Sequence, residues 1–136
     1  MNQAPTLNPL TAFLSVAAGG GVGSALRYGF ALWLEPISRG FPFSMLVVNV
    51  LGSFAIVFFG ELTVGGAGQP ATQAWRLAAL VGVCGGFTTF SSFSLQTVDL
   101  LRAGFVGRAL ANALLSVVLC VAAAALAYWA AARLTS

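Results

Sequence analysis

Four long apolar runs dominate this sequence, and they leave it little to fold into except a membrane. They cover about residues 10–34, 43–62, 75–101 and 109–132, each about 20 to 27 residues long. A helix crosses the hydrocarbon core with about 20 residues, so each run is long enough to span. The segments between them carry breakers. Pro36, Arg39, Gly40 and Pro42 punctuate the first, and Thr63 to Gln73 holds Gly65, Gly66, Gly68 and Pro70. A short turn from Arg102 to Arg108 makes the last connection. Charge supports the same reading. Only 7% of the 136 residues are charged, whereas a soluble domain carries about 25%. Six arginines, no lysine, Glu35, Glu61 and Asp99 cannot clothe a water-facing surface. The expected fold is an all-α integral membrane protein of four transmembrane helices, forming a single membrane domain over residues 1–136.

Several function classes fall away. The chain has no histidine, which removes His-based catalysis and His-ligated metals. Cys84 and Cys120 lie inside apolar runs without the paired spacing of a zinc site. The residues from Met1 to Leu10 contain no basic residue, so no cleaved leader is expected. The arginines are scattered, which gives no footprint for nucleic acid. Four crossings place both termini on one side. Arg76 and Arg133 then flank that side, and Arg39, Arg102 and Arg108 flank the other. So even a split gives little positive-inside bias, which suits insertion in both orientations.

Polar residues inside the runs carry the functional information. Arg27 is costly in lipid, so it either faces a watery vestibule or snorkels to the interface. A positive charge there favours anions, and no carboxylate sits mid-span to receive a cation. Gly19 and Gly23 form a G-x-x-x-G pair that fits close helix packing. Asn49, mid-run, needs a hydrogen-bonding partner: it either glues helices together or donates to an anion. The stretch Gly82-Val-Cys-Gly-Gly-Phe-Thr-Thr-Phe-Ser-Ser-Phe-Ser94 pairs Gly85 with Gly86 and then sets five hydroxyls in seven residues. This composition predicts a third helix broken near its centre, of the kind tolerated where backbone lines a cavity or binds an ion. The alternative is an intact helix whose hydroxyls bond to their own turn. Phe90 and Phe93 share one face. Asn112, Ser116 and Cys120 follow at i, i+4, i+8, as interhelical glue or as the wall of a polar track. Tyr128 and Trp129 read as interface anchors.

Taken together, Gly19-Gly-Gly-Val-Gly-Ser-Ala-Leu-Arg27-Tyr28, Val48-Asn49-Val-Leu-Gly52-Ser-Phe54 and Gly85-Gly-Phe-Thr-Thr-Phe-Ser-Ser-Phe93-Ser94 resemble the Fluc (CrcB) family of fluoride channels. They occur in the family's order, one on each of the first three runs, and the resemblance covers essentially the whole chain. It implies an antiparallel, dual-topology homodimer in the cell inner membrane with two fluoride pores. It implies a structural sodium ion at the dimer centre, held by the backbone carbonyls of Gly85 and Thr88 from both subunits. By position, Phe90 and Phe93 would line the pores, the first facing one and the second the other. Asn49 would be the pore amide, with Thr89 and Ser92 as hydroxyl donors, and Arg27 would sit by the vestibule. Asn112 and Ser116 would begin the polar track of the fourth helix. Gln96 stands where relatives often carry Glu, and the track runs on into Cys120 and Ala124 where some relatives keep hydroxyls. The implied activity is passive fluoride export that lowers fluoride toxicity, by a channel and not an enzyme. Two other readings remain beside it: a small dual-topology multidrug exporter, which would want a mid-span carboxylate, and a non-transporting membrane scaffold.

Overall fold

The computed structural model describes residues 7–64 and 70–135. The expected loop from Thr63 to Gln73 therefore lies partly outside the described residues. Helix α1 spans Pro9–Trp33 and α2 spans Phe43–Leu62. The third crossing is composite. Its first half, α3, covers residues 70–87, and its second half, α4, spans Phe90–Arg102. Helix α5 spans Val106–Thr135. All four crossings are long and apolar enough to traverse a membrane, and no strand occurs among the described residues.

Local chemistry sets the ends. Asn8 caps α1, its side chain accepting from the Leu10 N–H at 2.8 Å, and Pro9 occupies the first helical position, where a missing N–H costs nothing. A short 3-10 turn, Glu35–Ile37, leads from α1 toward α2. The C-terminus of α2 is closed from another helix: Arg76 donates to the Gly60 carbonyl at 2.9 Å and to the Thr63 hydroxyl. The α4–α5 connection is tighter than the expected turn from Arg102 to Arg108. Gly104 takes φ +82°, which lets the Phe105 N–H reach the Leu100 carbonyl at 2.8 Å and the Gly104 N–H reach Leu101 at 3.0 Å. That paired closure ends one helix in a single left-handed residue. Gly107 and Arg108 are thereby helical.

Glycine governs the packing of α1. A β-carbon on Gly19 would collide with the Ala78 carbonyl, and one on Gly23 with the Val83 carbonyl. On the facing helix, a β-carbon on Gly82 would lie 2.8 Å from the Gly19 Cα, and one on Gly86 2.6 Å from the Gly20 carbonyl oxygen. The two backbones touch directly, as small residues permit in a membrane where apolar burial drives nothing. The part of α3 in this contact, Leu77–Cys84, is π-helical. The second packing unit is α2 on α5. A stripe of α5 comprising Ala109, Asn112, Ser116, Ala127 and Ala131 is buried, and Val48 of α2 is inaccessible. Most other large apolar side chains point outward, among them Phe13, Leu14, Val117 and Val121. A soluble protein could not present such a surface.

Candidate ion pathway

Between the two packing units the third crossing loses its helix. Thr88 (φ −81°, ψ 151°) and Thr89 (φ −154°, ψ 119°) are extended. Lipid cannot satisfy the backbone groups this frees, so protein has to. Asn49 of α2 does so for Thr89. The Thr89 N–H donates to Asn49 Oδ1 at 2.9 Å, and Asn49 Nδ2 donates to the Thr89 carbonyl at 3.3 Å. The side-chain amide thus stands in for a neighbouring peptide. Thr88 turns its hydroxyl back onto the Cys84 carbonyl at 2.8 Å. Its methyl group sits against Gly52, where a β-carbon would collide with it. Thr89 also caps α4, accepting from the Ser92 N–H at 3.3 Å.

Beside this junction lies a groove of about 370 Å³. Asn49, Gly52 and Ser53 of α2 form one wall, Thr88, Thr89, Phe90 and Phe93 a second, and Ser116, Val117, Cys120 and Val121 of α5 a third. An amide, four hydroxyls and two aromatic rings thus line an otherwise apolar trough. An amide NH2 has two donors, and Asn49 commits one to Thr89, which leaves the other for the groove. The Phe90 and Phe93 rings stand 5.2 Å apart and tilted by 46°. Phe93 is half-buried, whereas Phe90 is 79% exposed and projects away from the protomer.

The other residues singled out in the sequence occupy different places. Ser92 is outside the groove lining, with its hydroxyl 3.4 Å from that of Thr89. Asn112 is 2% exposed and donates to the Thr97 hydroxyl at 2.9 Å, one turn beyond the groove. Arg27 is half-buried on α1, away from the groove, and makes no ion pair or hydrogen bond among the described residues. Gly85 is exposed, and a β-carbon there would meet nothing within 4 Å, so it faces out of the protomer. Because Thr89 bonds to Asn49, the Gly85 carbonyl loses its helical donor. Neither it nor the Thr88 carbonyl accepts a hydrogen bond from a described residue. Free carbonyl oxygens at a helix interruption suit a hard monovalent cation. Residues 14–128 match the family model described as CrcB-like protein, Camphor Resistance (CrcB).

The chain belongs to the CrcB family.

Curated relatives agree over most of their length. The chain is 48% identical to a fluoride-specific ion channel FluC of Methylobacterium radiotolerans over 123 residues, covering 90% of this chain and 86% of that one. With the protein of the same name from Opitutus terrae it shares 44% over 128 residues, covering 93% and 97%. The Thermus thermophilus protein of that name is 50% identical over 99 residues, 72% of this chain and 76% of its own. The CrcB match takes in most of α1, all of α2 to α4 and most of α5, so it covers the Asn49–Thr89 junction and all three walls of the groove. This is a multi-pass membrane protein.

Two features of the site were not visible in the sequence. The π-helical stretch carries apolar residues all round, so its period cannot be read from pattern. The partner of Asn49 is a backbone position 40 residues away, which no side-chain pattern marks.

Proposed function

We propose that this protein is a passive fluoride channel that exports the ion from the cytoplasm and lowers its toxicity. One observation carries the reading: in a chain of this family, amide, hydroxyl and aromatic groups converge on one trough beside an interrupted membrane helix. Fluoride is small and strongly hydrated, so a pathway has to replace its water with donors. The free N–H of Asn49 and the hydroxyls of Thr89, Ser53 and Ser116 are such donors. The edges of the Phe90 and Phe93 rings carry partial positive charge and add contacts where polar groups are few. The apolar wall of Val117 and Val121 leaves little to hold a larger anion that keeps its water. With no carboxylate in the groove, neither proton coupling nor capture of a cationic drug has a residue to act through.

The trough lies open along one side of a single protomer, and Phe90 projects from it. A second, antiparallel copy would close both, giving a dual-topology homodimer with two pathways. The unbonded carbonyls of Gly85 and Thr88 would then meet their counterparts, and a sodium ion held there would offset the repulsion of an anion among helix dipoles. Arg27 would lend positive charge to the aqueous approach. Ser92, and Asn112 with its Thr97 partner, would extend the donor series beyond the groove. The interruption of the third crossing would thus supply both the cation ligands and the Thr89 backbone groups that orient the Asn49 amide.

Fluoride efflux from proteoliposomes, followed with a fluoride electrode, tests the reading. Rapid electrogenic fluoride loss with chloride retained is the expected result. Absence of flux from well-folded protein would overturn it. Cysteine crosslinking should report antiparallel dimers, and dimer stability should fall when sodium is replaced by a bulky organic cation. Parallel dimers, or indifference to sodium, would remove those two parts separately.

A further inference from the structure

A second cavity, of about 280 Å³, opens at the end of the molecule where α4 meets α5. Arg39, Gln96, Asp99 and Arg108 line it. It continues the same seam as the groove. On α5, Arg108 stands four residues before Asn112 and eight before Ser116, so the three share one helix face. On α4, Phe93 lines the groove and Gln96 the second cavity. The Asn112–Thr97 hydrogen bond lies between the two.

Two arginines in so sparsely charged a chain converge here. Arg108 donates to the Gly40 carbonyl at 3.2 Å and lies 4.5 Å from the centre of the Phe105 ring. These contacts hold its guanidinium beside the loop that carries Arg39. Neither arginine forms an ion pair among the described residues, although Asp99 lines the same cavity. The Oε1 atom of Gln96 is buried without a hydrogen-bond partner. Its amide is therefore not locked with the oxygen inward, and a half-turn would present two N–H donors instead.

We propose that Arg39 and Arg108 form an anion-recruiting mouth at this end of the pathway, opposed by Asp99. The inference rests on the channel reading. The mouth concentrates a small inorganic anion electrostatically and passes it along the Gln96–Asn112 line toward Ser116. Eight helical residues separate Arg108 from Ser116, an axial distance of about 12 Å. A unit charge at that distance in water changes the local anion concentration about 1.5-fold at an ionic strength of ~10 mM, where the screening length is about 30 Å. The two arginines together amount to about twofold. At ~1 M salt the screening length is about 3 Å, and the effect vanishes.

Planar-bilayer currents with sodium fluoride test this, using the full-length chain. In ~10 mM fluoride, R39Q/R108Q should conduct about twofold less than wild type, and D99N about 1.5-fold more. In ~1 M sodium fluoride all three should conduct alike, which also shows that the variants are folded. R39K/R108K, which keeps the charge, should restore the low-salt current. An equal loss at both concentrations, failure of the lysine variant to rescue, or unchanged low-salt currents would each overturn the mouth while leaving the channel intact. Wild-type protein without fluoride current would overturn the channel reading and the mouth with it.

Discussion

Replacing Asn49 with alanine removes both hydrogen bonds that hold the extended residue Thr89 to α2. The Thr89 N–H and carbonyl would then lack partners in a half-buried position between helices. An unsatisfied buried donor costs about 1–3 kcal/mol, and loss of the longer 3.3 Å bond adds about 0.5–1. The expected destabilisation is about 1.5–4 kcal/mol. That exceeds the ~0.6 kcal/mol typical of an interhelical side-chain hydrogen bond in a membrane, because here the partner is backbone that has left its helix. Thr89→Ala is the informative control. It keeps both backbone bonds to Asn49 and loses the cap on Ser92, worth about 1 kcal/mol, together with the hydroxyl contacts to Ser91 and Ser92. Equilibrium unfolding in mixed micelles, titrated with denaturing detergent and followed by tryptophan fluorescence, measures both. If Asn49→Ala lies within about 0.5 kcal/mol of wild type, or if Thr89→Ala costs as much, the amide is not the clamp described above.

Phe90→Ile and Phe93→Ile should each slow fluoride efflux at least tenfold with unfolding unchanged; wild-type rates in both would exclude an aromatic pathway. Gly19→Ala drives a methyl group into the Ala78 carbonyl and should destabilise the protein by about 1–3 kcal/mol in the same detergent titration, whereas Gly21→Ala, with nothing within 4 Å, should be neutral. Gly104→Ala forces a β-carbon into φ +82° and should cost about 1–2 kcal/mol without altering ion selectivity, read as the fluoride-to-chloride flux ratio.

Much of the molecule was legible because lipid imposes simple rules. An apolar run of sufficient length has to become a helix, so the four crossings follow from counting. Polar residues within those runs needed partners, and Asn49, Thr89 and Ser116 were noticed for that reason. What the sequence withheld was pairing. The glycine cluster announced a close approach but did not say that the other backbone would be residues 78–86. Asn112 belongs to the same stripe as Ser116, yet one of its amide donors is committed to Thr97. The expected turn runs as far as Arg108; the left-handed closure at Gly104 ends it early and puts the arginine on the helix face. Each of these depends on contacts between distant parts of the chain, which local pattern does not record.

The pairing of α2 with α5 has a consequence for biosynthesis. These two helices form the second packing unit, yet α5 is made after the other three crossings. Helix α2, with Asn49 in its first half, enters the membrane while its principal neighbour has not been made. Asn49 finds Thr89 only once the third crossing has emerged, and the face around Val48 waits for Ala109 and Asn112. The nascent protein therefore passes through a stage in which an uncovered amide sits in lipid or in the insertion machinery. Truncation before α5 should leave an inserted product whose α2 face is uncovered, exposed to quality-control proteolysis.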